Sequence, residues 1–513
     1  MVTISKKPLL SKDYKNVLFN GEGINIDEET LNNVEACFNF LTDFSNNKII
    51  YGVNTGLGPM AQYRIEDEDQ IDLQYNLIRS HSAGSGLPLE PIYVRAAMIS
   101  RLKSLSLGYS GIHTDAIKLI VQLLNHNIIP YIPEHGGVGA SGDLVQLSHL
   151  ALVLIGEGEA YYEDKLQAVS SIYSKLNINP LNIKLREGLG LINGTSVMSG
   201  IGIVNIIYAK QIINWSVLAS AMINELVESF DDHFSVVLNE VKKHEGQQVI
   251  AKAMREVLQD SSLIKKRDDL LFNGKIEEKI FKQKIQEYYS LRCVPQILGP
   301  ICDAIRNAEK VLVNEVNSVN DNPVVDVNSR TVYHGGNFHG DYVSFEMDKL
   351  KSAVTKLSML AERQLNFLMN NKLNDILPPF VNLGTLGLNL GMQGAQFTAT
   401  STVAENQTLS NPMYIHSIPS NNDNQDIVSM GTNSALLTKQ VIDNTFEVLS
   451  IEFLTIIQAI DYLKIDNKLS SLSRSTYNQL RKLVPVFTED SPKYKDLEKI
   501  KLHLKRTNPE IVK

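Results

Sequence analysis

Apolar residues are spaced in two different ways along this chain. Over roughly the first 190 residues they come in short runs, broken by turn-forming glycine, proline and asparagine. From about 196 the runs lengthen. Segment 202–230, GIVNIIYAKQIINWSVLASAMINELVESF, is apolar and free of proline. Segments 348–370 (DKLKSAVTKLSMLAERQLNFLMN) and 438–463 (TKQVIDNTFEVLSIEFLTIIQAIDYL) repeat apolar residues at three- and four-residue spacing. That is the period of a helix, and these lengths exceed the usual globular helix. Helices apolar around most of their circumference belong inside a bundle or an interface. Alternating strand patterns are few, and nothing alternates strand with helix as a parallel sheet requires. The pattern predicts a mainly α protein. An N-terminal domain over 1–195 precedes a long central helical bundle over 196–513. The tail SPKYKDLEKIKLHLKR (491–506) reads as a charged amphipathic helix on the surface.

The uncharged stretch 191–209, LINGTSVMSGIGIVNIIYA, approaches membrane-span length. Asn193, Thr195 and its glycines favour a buried helix, so no membrane partner is expected. With 43% hydrophobic residues, 513 residues hold a large core. A net charge of −8 lacks the basic footprint of a nucleic-acid binder. Cys37, Cys293 and Cys302 have neither disulfide-framework nor zinc-ligand spacing, and no metal is expected. The N-terminus, MVTISKKPLLSKDYK, lacks the apolar core of a signal peptide. The expected compartment is the cytoplasm.

Glycine is densest at 134–152, EHGGVGASGDLVQLSHLAL, with four glycines inside 136–142. Gly137, Gly139 and Gly142 match a dinucleotide fingerprint by letter. However, Pro130 and Pro133 stand where a central strand is required. A phosphate loop would need Lys and then Ser or Thr after the last glycine; Asp143 stands there. A plain tight turn into a helix remains open. So does a chemical reading of Ala140-Ser141-Gly142. The Gly142 nitrogen can attack the Ala140 carbonyl carbon and close a five-membered ring, given a backbone free to bend. Loss of two waters, one carrying the Ser141 hydroxyl, yields 3,5-dihydro-5-methylidene-imidazol-4-one (MIO). No encoded side chain is strongly electrophilic, so an enzyme needing an electrophile must build or bind one. This one requires no external cofactor.

Further motifs surround that triad: YGVNTGLG (51–58), GASGDL (139–144), INGT (192–195), QEYYSLRCVPQ (286–296), SVNDNP (318–323), GGNFHG (335–340) and NQDIVSMG (424–431). In this order they resemble the aromatic amino acid ammonia-lyases and aminomutases, a family that includes histidine, phenylalanine and tyrosine lyases. The resemblance covers nearly the whole chain and is strongest to bacterial tyrosine ammonia-lyases. It implies a histidine ammonia-lyase-like fold, with MIO formed from Ala140, Ser141 and Gly142. It also implies a homotetramer with shared active sites, Tyr51 and Arg292 coming from different chains. The reaction implied is elimination of ammonia across the Cα–Cβ bond of an aromatic L-amino acid. In one mechanism the amine adds to the MIO methylene; in an older one the aromatic ring does.

The resemblance also assigns roles. Tyr51 matches the catalytic tyrosine that removes the β-proton. A phenol titrates near pH 10, so such a base needs donors or positive charge nearby. Arg292 matches the residue that grips the substrate carboxylate, for which its planar charged fork is suited. Tyr289 matches an active-site tyrosine, and Gln286 supports the carboxylate site. Asn193 hydrogen-bonds the MIO or the substrate carboxyl. Asp143 assists ring formation or polarisation, and Phe338 forms a wall against the substrate ring. Cys293 reads as packing rather than as a nucleophile.

Two positions bear on the substrate. Ser80-His81, in RSHSAG, looks like histidine lyases, yet His81 can hydrogen-bond an imidazole or a phenol. Gln425, in NQD, looks like tyrosine and phenylalanine lyases; histidine lyases carry a glutamate there. An amide cannot accept a proton near neutrality, so Gln425 weighs towards tyrosine. A site that hydrogen-bonds a hydroxyl also rejects the analogue lacking it, which disfavours phenylalanine. Histidine lyase, phenylalanine lyase and aminomutase remain alternatives. A non-catalytic helical scaffold is another, and it predicts a chain of full encoded mass.

Overall fold

The computed structural model describes residues 1–272, 279–281 and 284–512. Long helices dominate: Ser196–Leu226, Val294–Val316, Asp341–Met369 and Gly431–Leu463. By length and composition Ser196–Leu226 could cross a membrane, but 89% of its apolar window is buried inside the protein. The expected helices at 348–370 and 438–463 are present. Each begins earlier than its periodicity, at Asp341 and Gly431, directly after a loop.

The chain forms two compact units, each discontinuous in sequence. The first comprises Met1–Ile207, Ala308–Asp348 and Pro412–Lys439; the second comprises Tyr208–Asn307, Lys349–Asn411 and Gln440–Lys513. A single cut at 195/196 is therefore not the division into compact units. Most of the boundaries fall inside long helices, where periodicity carries no mark of them.

Strands are short and confined to small sheets. Val2–Ile4 pairs parallel with Ile24–Ile26, and Ser85–Pro88 pairs antiparallel with Pro133–His135. Glu159–Tyr162 lies between Ile129–Pro130 and Lys165–Ala168. Strands do precede the glycine stretch, but Pro130 and Pro133 occupy edges, where a missing N–H costs no ladder bond. In the first unit, helices Gln70–His81, Leu144–Leu154 and Glu187–Ile192 pack on one another. Their ends carry His81, Asp143 and Asn193.

In the second unit the expected surface helix, Tyr494–Arg506, is docked by one face. Ile500 and Leu504 are fully buried, and Trp215 Nε1 donates to Leu504 O at 3.0 Å. The Trp215 ring meets Phe453 edge-on at 5.4 Å. Near it in sequence, Glu452 is 0% exposed, and neither carboxyl oxygen has a partner among the described residues. Burial pushes its carboxyl well above the ordinary range, so the folded chain holds a proton that the unfolded chain releases above about pH 4.5. Its contribution to stability therefore falls as pH rises past that value. Glu452→Gln, which removes the titration, is expected to melt higher than the parent at pH 8, by about 2 °C or more. The difference should shrink towards pH 5, which melts followed across that range would check.

Candidate active site

The glycine loop is bent and held from several sides. Gly139 and Gly142 adopt φ of +76° and +74°, the left-handed region that side chains disfavour. A Cβ on Gly142 would strike the Gly194 carbonyl. Beside it, Asp143 N–H donates to Gly194 O at 2.8 Å. Gly139 O accepts from Gly340 N–H at 3.0 Å and from Ser429 Oγ at 3.1 Å. Met430 N–H donates to Val138 O at 3.0 Å.

Two sequence-predicted residues touch the triad. Asn193 Nδ2 donates to the Ser141 carbonyl at 3.0 Å. Gln425 Nε2 donates to the Ser141 hydroxyl oxygen, also at 3.0 Å. Asn193 is oriented in turn by Asn322, whose backbone N–H donates to Asn193 Oδ1 at 2.9 Å. Asp143 lies directly behind, 0% exposed. Its Oδ2 accepts from Val197 and Met198 N–H, at 2.8 and 2.9 Å, at the positive end of the Ser196–Leu226 helix. Its Oδ1 accepts from Thr432 Oγ1. Burial lifts the Asp143 pKa to about 6, against the opposing pull of those donors and of Arg101.

Tyr51 and His81 are held separately. Tyr51 Oη accepts from Gly58 N–H at 2.9 Å, and Tyr51 N–H makes a long 3.4 Å contact to His334 Nε2. His81 closes its helix with Nδ1 3.0 Å from Leu77 O. A carbonyl only accepts, so this contact places the proton on Nδ1 and leaves Nε2 as an acceptor. Burial lowers the His81 pKa, opposed by the same carbonyl. Ser80 Oγ lies 3.0 Å from that nitrogen. Phe338 sits in the loop between Tyr333 and Asp341. No hydrogen bond among the described residues joins Tyr51, His81 or Phe338 to the triad.

The remaining predicted residues belong to the second unit. Arg292 Nη1 donates to Gln286 Oε1, and its guanidinium lies 4.7 Å from the centre of the Tyr289 ring. These three line a cavity of about 700 Å³ together with Arg363, Asn366 and Phe367. No carboxylate pairs with Arg292 among the described residues, which suits it to an anionic group from outside.

Sequence reasoning missed Gly58, Gly194, Asn322, Ser429 and Thr432 as holders of the site. All but Thr432 lie inside quoted motifs, so the motifs contained a signal although the roles did not show. Thr432 follows NQDIVSMG directly.

Comparison with known proteins points to one family. The family model described as aromatic amino acid lyase matches residues 9–482. A tyrosine 2,3-aminomutase from Myxococcus fulvus is 38% identical over 92% of this chain and 90% of its own. A histidine ammonia-lyase from Bacillus cytotoxicus is 35% identical over 99% of this chain and 98% of its own. Among solved structures, the phenylalanine aminomutase of Pantoea agglomerans superposes with a TM-score of 0.94 at 33% identity, covering 98% of this chain and 99% of that one. A glycine-bent Ala-Ser-Gly loop, the ordered motifs and these similarities lead to one conclusion: the chain belongs to the aromatic amino acid lyase family.

Proposed function

We propose that this protein is a cytoplasmic enzyme that eliminates ammonia from an aromatic L-amino acid, with L-tyrosine preferred and trans-p-coumarate as product. The bent, hydrogen-bonded Ala140-Ser141-Gly142 loop carries the reading. It fits MIO. Gly142 is already in a conformation that admits no side chain, while the Ser141 hydroxyl and carbonyl each meet a side-chain donor. Asn193 and Asp143 would hold the group, which supplies an electrophile for the substrate amine.

This chain's own residues account for the rest. Tyr51, its oxygen fixed by Gly58, takes the β-proton. Arg292 grips the carboxylate with a fork that Gln286 and Tyr289 orient. Phe338 supplies a wall for the aromatic ring. His81 Nε2 accepts a hydrogen bond from a phenol hydroxyl, and phenylalanine would leave it unpaired. Gln425 brings an amide where proton exchange with an imidazole would call for a carboxylate. Arg292→Lys replaces the fork by a point charge and is expected to raise KM for the amino acid by about ten-fold or more in steady-state assays.

Similarity to a tyrosine 2,3-aminomutase supports a phenol-bearing substrate. It also favours a second reading, in which the amine returns at Cβ to give β-tyrosine. Similarity to a histidine ammonia-lyase and the Ser80-His81 pair support histidine instead. Purified protein given L-tyrosine, L-histidine or L-phenylalanine, followed by absorbance and by chromatography of amino acids, separates these. p-Coumarate as end product supports the proposal. β-Tyrosine or urocanate would replace it with the corresponding alternative. No turnover from a chain of full encoded mass would overturn it.

The working form we propose is a homotetramer with Tyr51 and Arg292 supplied by different chains. Two inactive variants, Tyr51→Phe and Arg292→Met, should then regain activity when co-assembled. Full activity of a sedimenting monomer would refute this.

A further inference from the structure

Loop 334–340 touches the site at two places. At one end Gly340 N–H holds the Gly139 carbonyl at 3.0 Å, beside the triad. At the other, His334 Nε2 lies 3.4 Å from Tyr51 N. Between them are Gly335 and Gly336, around which a Cβ would meet nothing within 4 Å. Packing therefore does not fix this part of the loop. Hydrogen bonds do: Gly335 N–H donates to the Asn322 side-chain oxygen at 2.9 Å, and Gly336 O accepts from His339 N–H at 3.0 Å.

Asn322 itself is anchored from within. Its backbone N–H is shared between Asp321 Oδ1 at 2.7 Å and Asn193 Oδ1 at 2.9 Å. Its carbonyl accepts from Arg186 Nη2 at 3.0 Å. Arg186 also forks onto Asp321 at 3.0 and 3.1 Å, and both side chains are 0% exposed. A buried bidentate pair of this kind fixes backbone geometry sharply. Asn322 thus orients the amide that meets the Ser141 carbonyl and, through its side chain, the Gly335 end of a loop whose Asn337 Nδ2 separately donates to Val319 O at 3.2 Å.

We propose that Asn322 is a positioning residue for the proposed elimination, tying the loop that carries His334 and Phe338 to the frame that holds Asn193. The proposal rests on the roles given above to Tyr51, Asn193 and Phe338. Among the described residues, the Asn322 side chain bonds only Gly335 N–H. Removing it spares the backbone bond to Asn193 and should spare maturation of the triad.

The test compares Asn322→Ala with Asn322→Asp, which keeps an acceptor oxygen. Intact mass, amide exchange at Gly335 and steady-state kinetics are read together. For Asn322→Ala we expect the same deficit below its own encoded mass as the parent shows below its own. Exchange at Gly335 should rise about ten-fold, the loss of one hydrogen bond, and kcat should fall by about as much. KM should move less than about two-fold. Asn322→Asp should restore protection and most of kcat. Increased exchange with unchanged kcat would overturn the proposal, as would lost kcat with Gly335 still protected. Equal impairment of both variants would also overturn it. A parent of full encoded mass would refute the MIO reading separately, and exchange at Gly335 would still decide the tether.

Discussion

Ser141→Ala is expected to yield a folded protein of full encoded mass whose turnover is lower by at least about 10³-fold. The parent should weigh about 36 Da less than its sequence, two waters having left the Ala140-Ser141-Gly142 backbone. Alanine has no hydroxyl to lose, so the ring cannot be completed. The fold should tolerate the change. Relative to the unmodified chain, the side-chain contact removed among the described residues is the 3.0 Å bond from Gln425, worth about 1 kcal/mol net. Intact-mass spectrometry and a spectrophotometric assay on the same samples give both readings. Retained turnover in Ser141→Ala, or a parent of full encoded mass, would remove the basis of the proposed chemistry.

Tyr51→Phe separates the base from the electrophile. The substitution deletes one oxygen and the acceptor for Gly58 N–H, and leaves every contact of the triad untouched. The mass deficit should persist. kcat should drop about 10²- to 10⁴-fold, the usual worth of a positioned acid or base, while KM changes only a few-fold. A variant with normal kcat would show that another group takes the β-proton.

Periodicity made the long helices legible because each buries much of its circumference over many turns. Their starts were less visible. Asp341–Met369 opens with DYVSFEM, whose buried Val343 and Met347 are interleaved with the exposed Tyr342 and Phe345, which blurs the three-four spacing. Val294–Val316 opens without a clear helical signal. Gly299 and Pro300 argue locally against a helix there. Tertiary packing overrides them, since a Cβ on Gly299 would overlap the backbone of Gln247 in the neighbouring helix Glu245–Leu258. In the site, the triad was legible because ring chemistry dictates residue types, while Asn193 and Gln425 were legible only through the motifs that carry the family resemblance. Thr432 and Ser429 were not. A hydroxyl that supports a carboxylate or a carbonyl 289 or 290 positions away leaves no local pattern.

Those separations also set a clock for the nascent chain. The loop at 139–143 leaves the ribosome long before Gln425, Ser429 and Thr432 exist, and they reach it across 284, 290 and 289 residues. At ~5–20 residues per second that interval is about 15–60 s. During it the glycine loop lacks the donors that complete its walls. If the proposed ring closure needs those contacts, a chain halted before 425 is expected to keep an ordinary, unreactive peptide at 140–142. On the proposed chemistry, topology would keep synthesis and self-modification in sequence, the electrophile forming only in a completed chain.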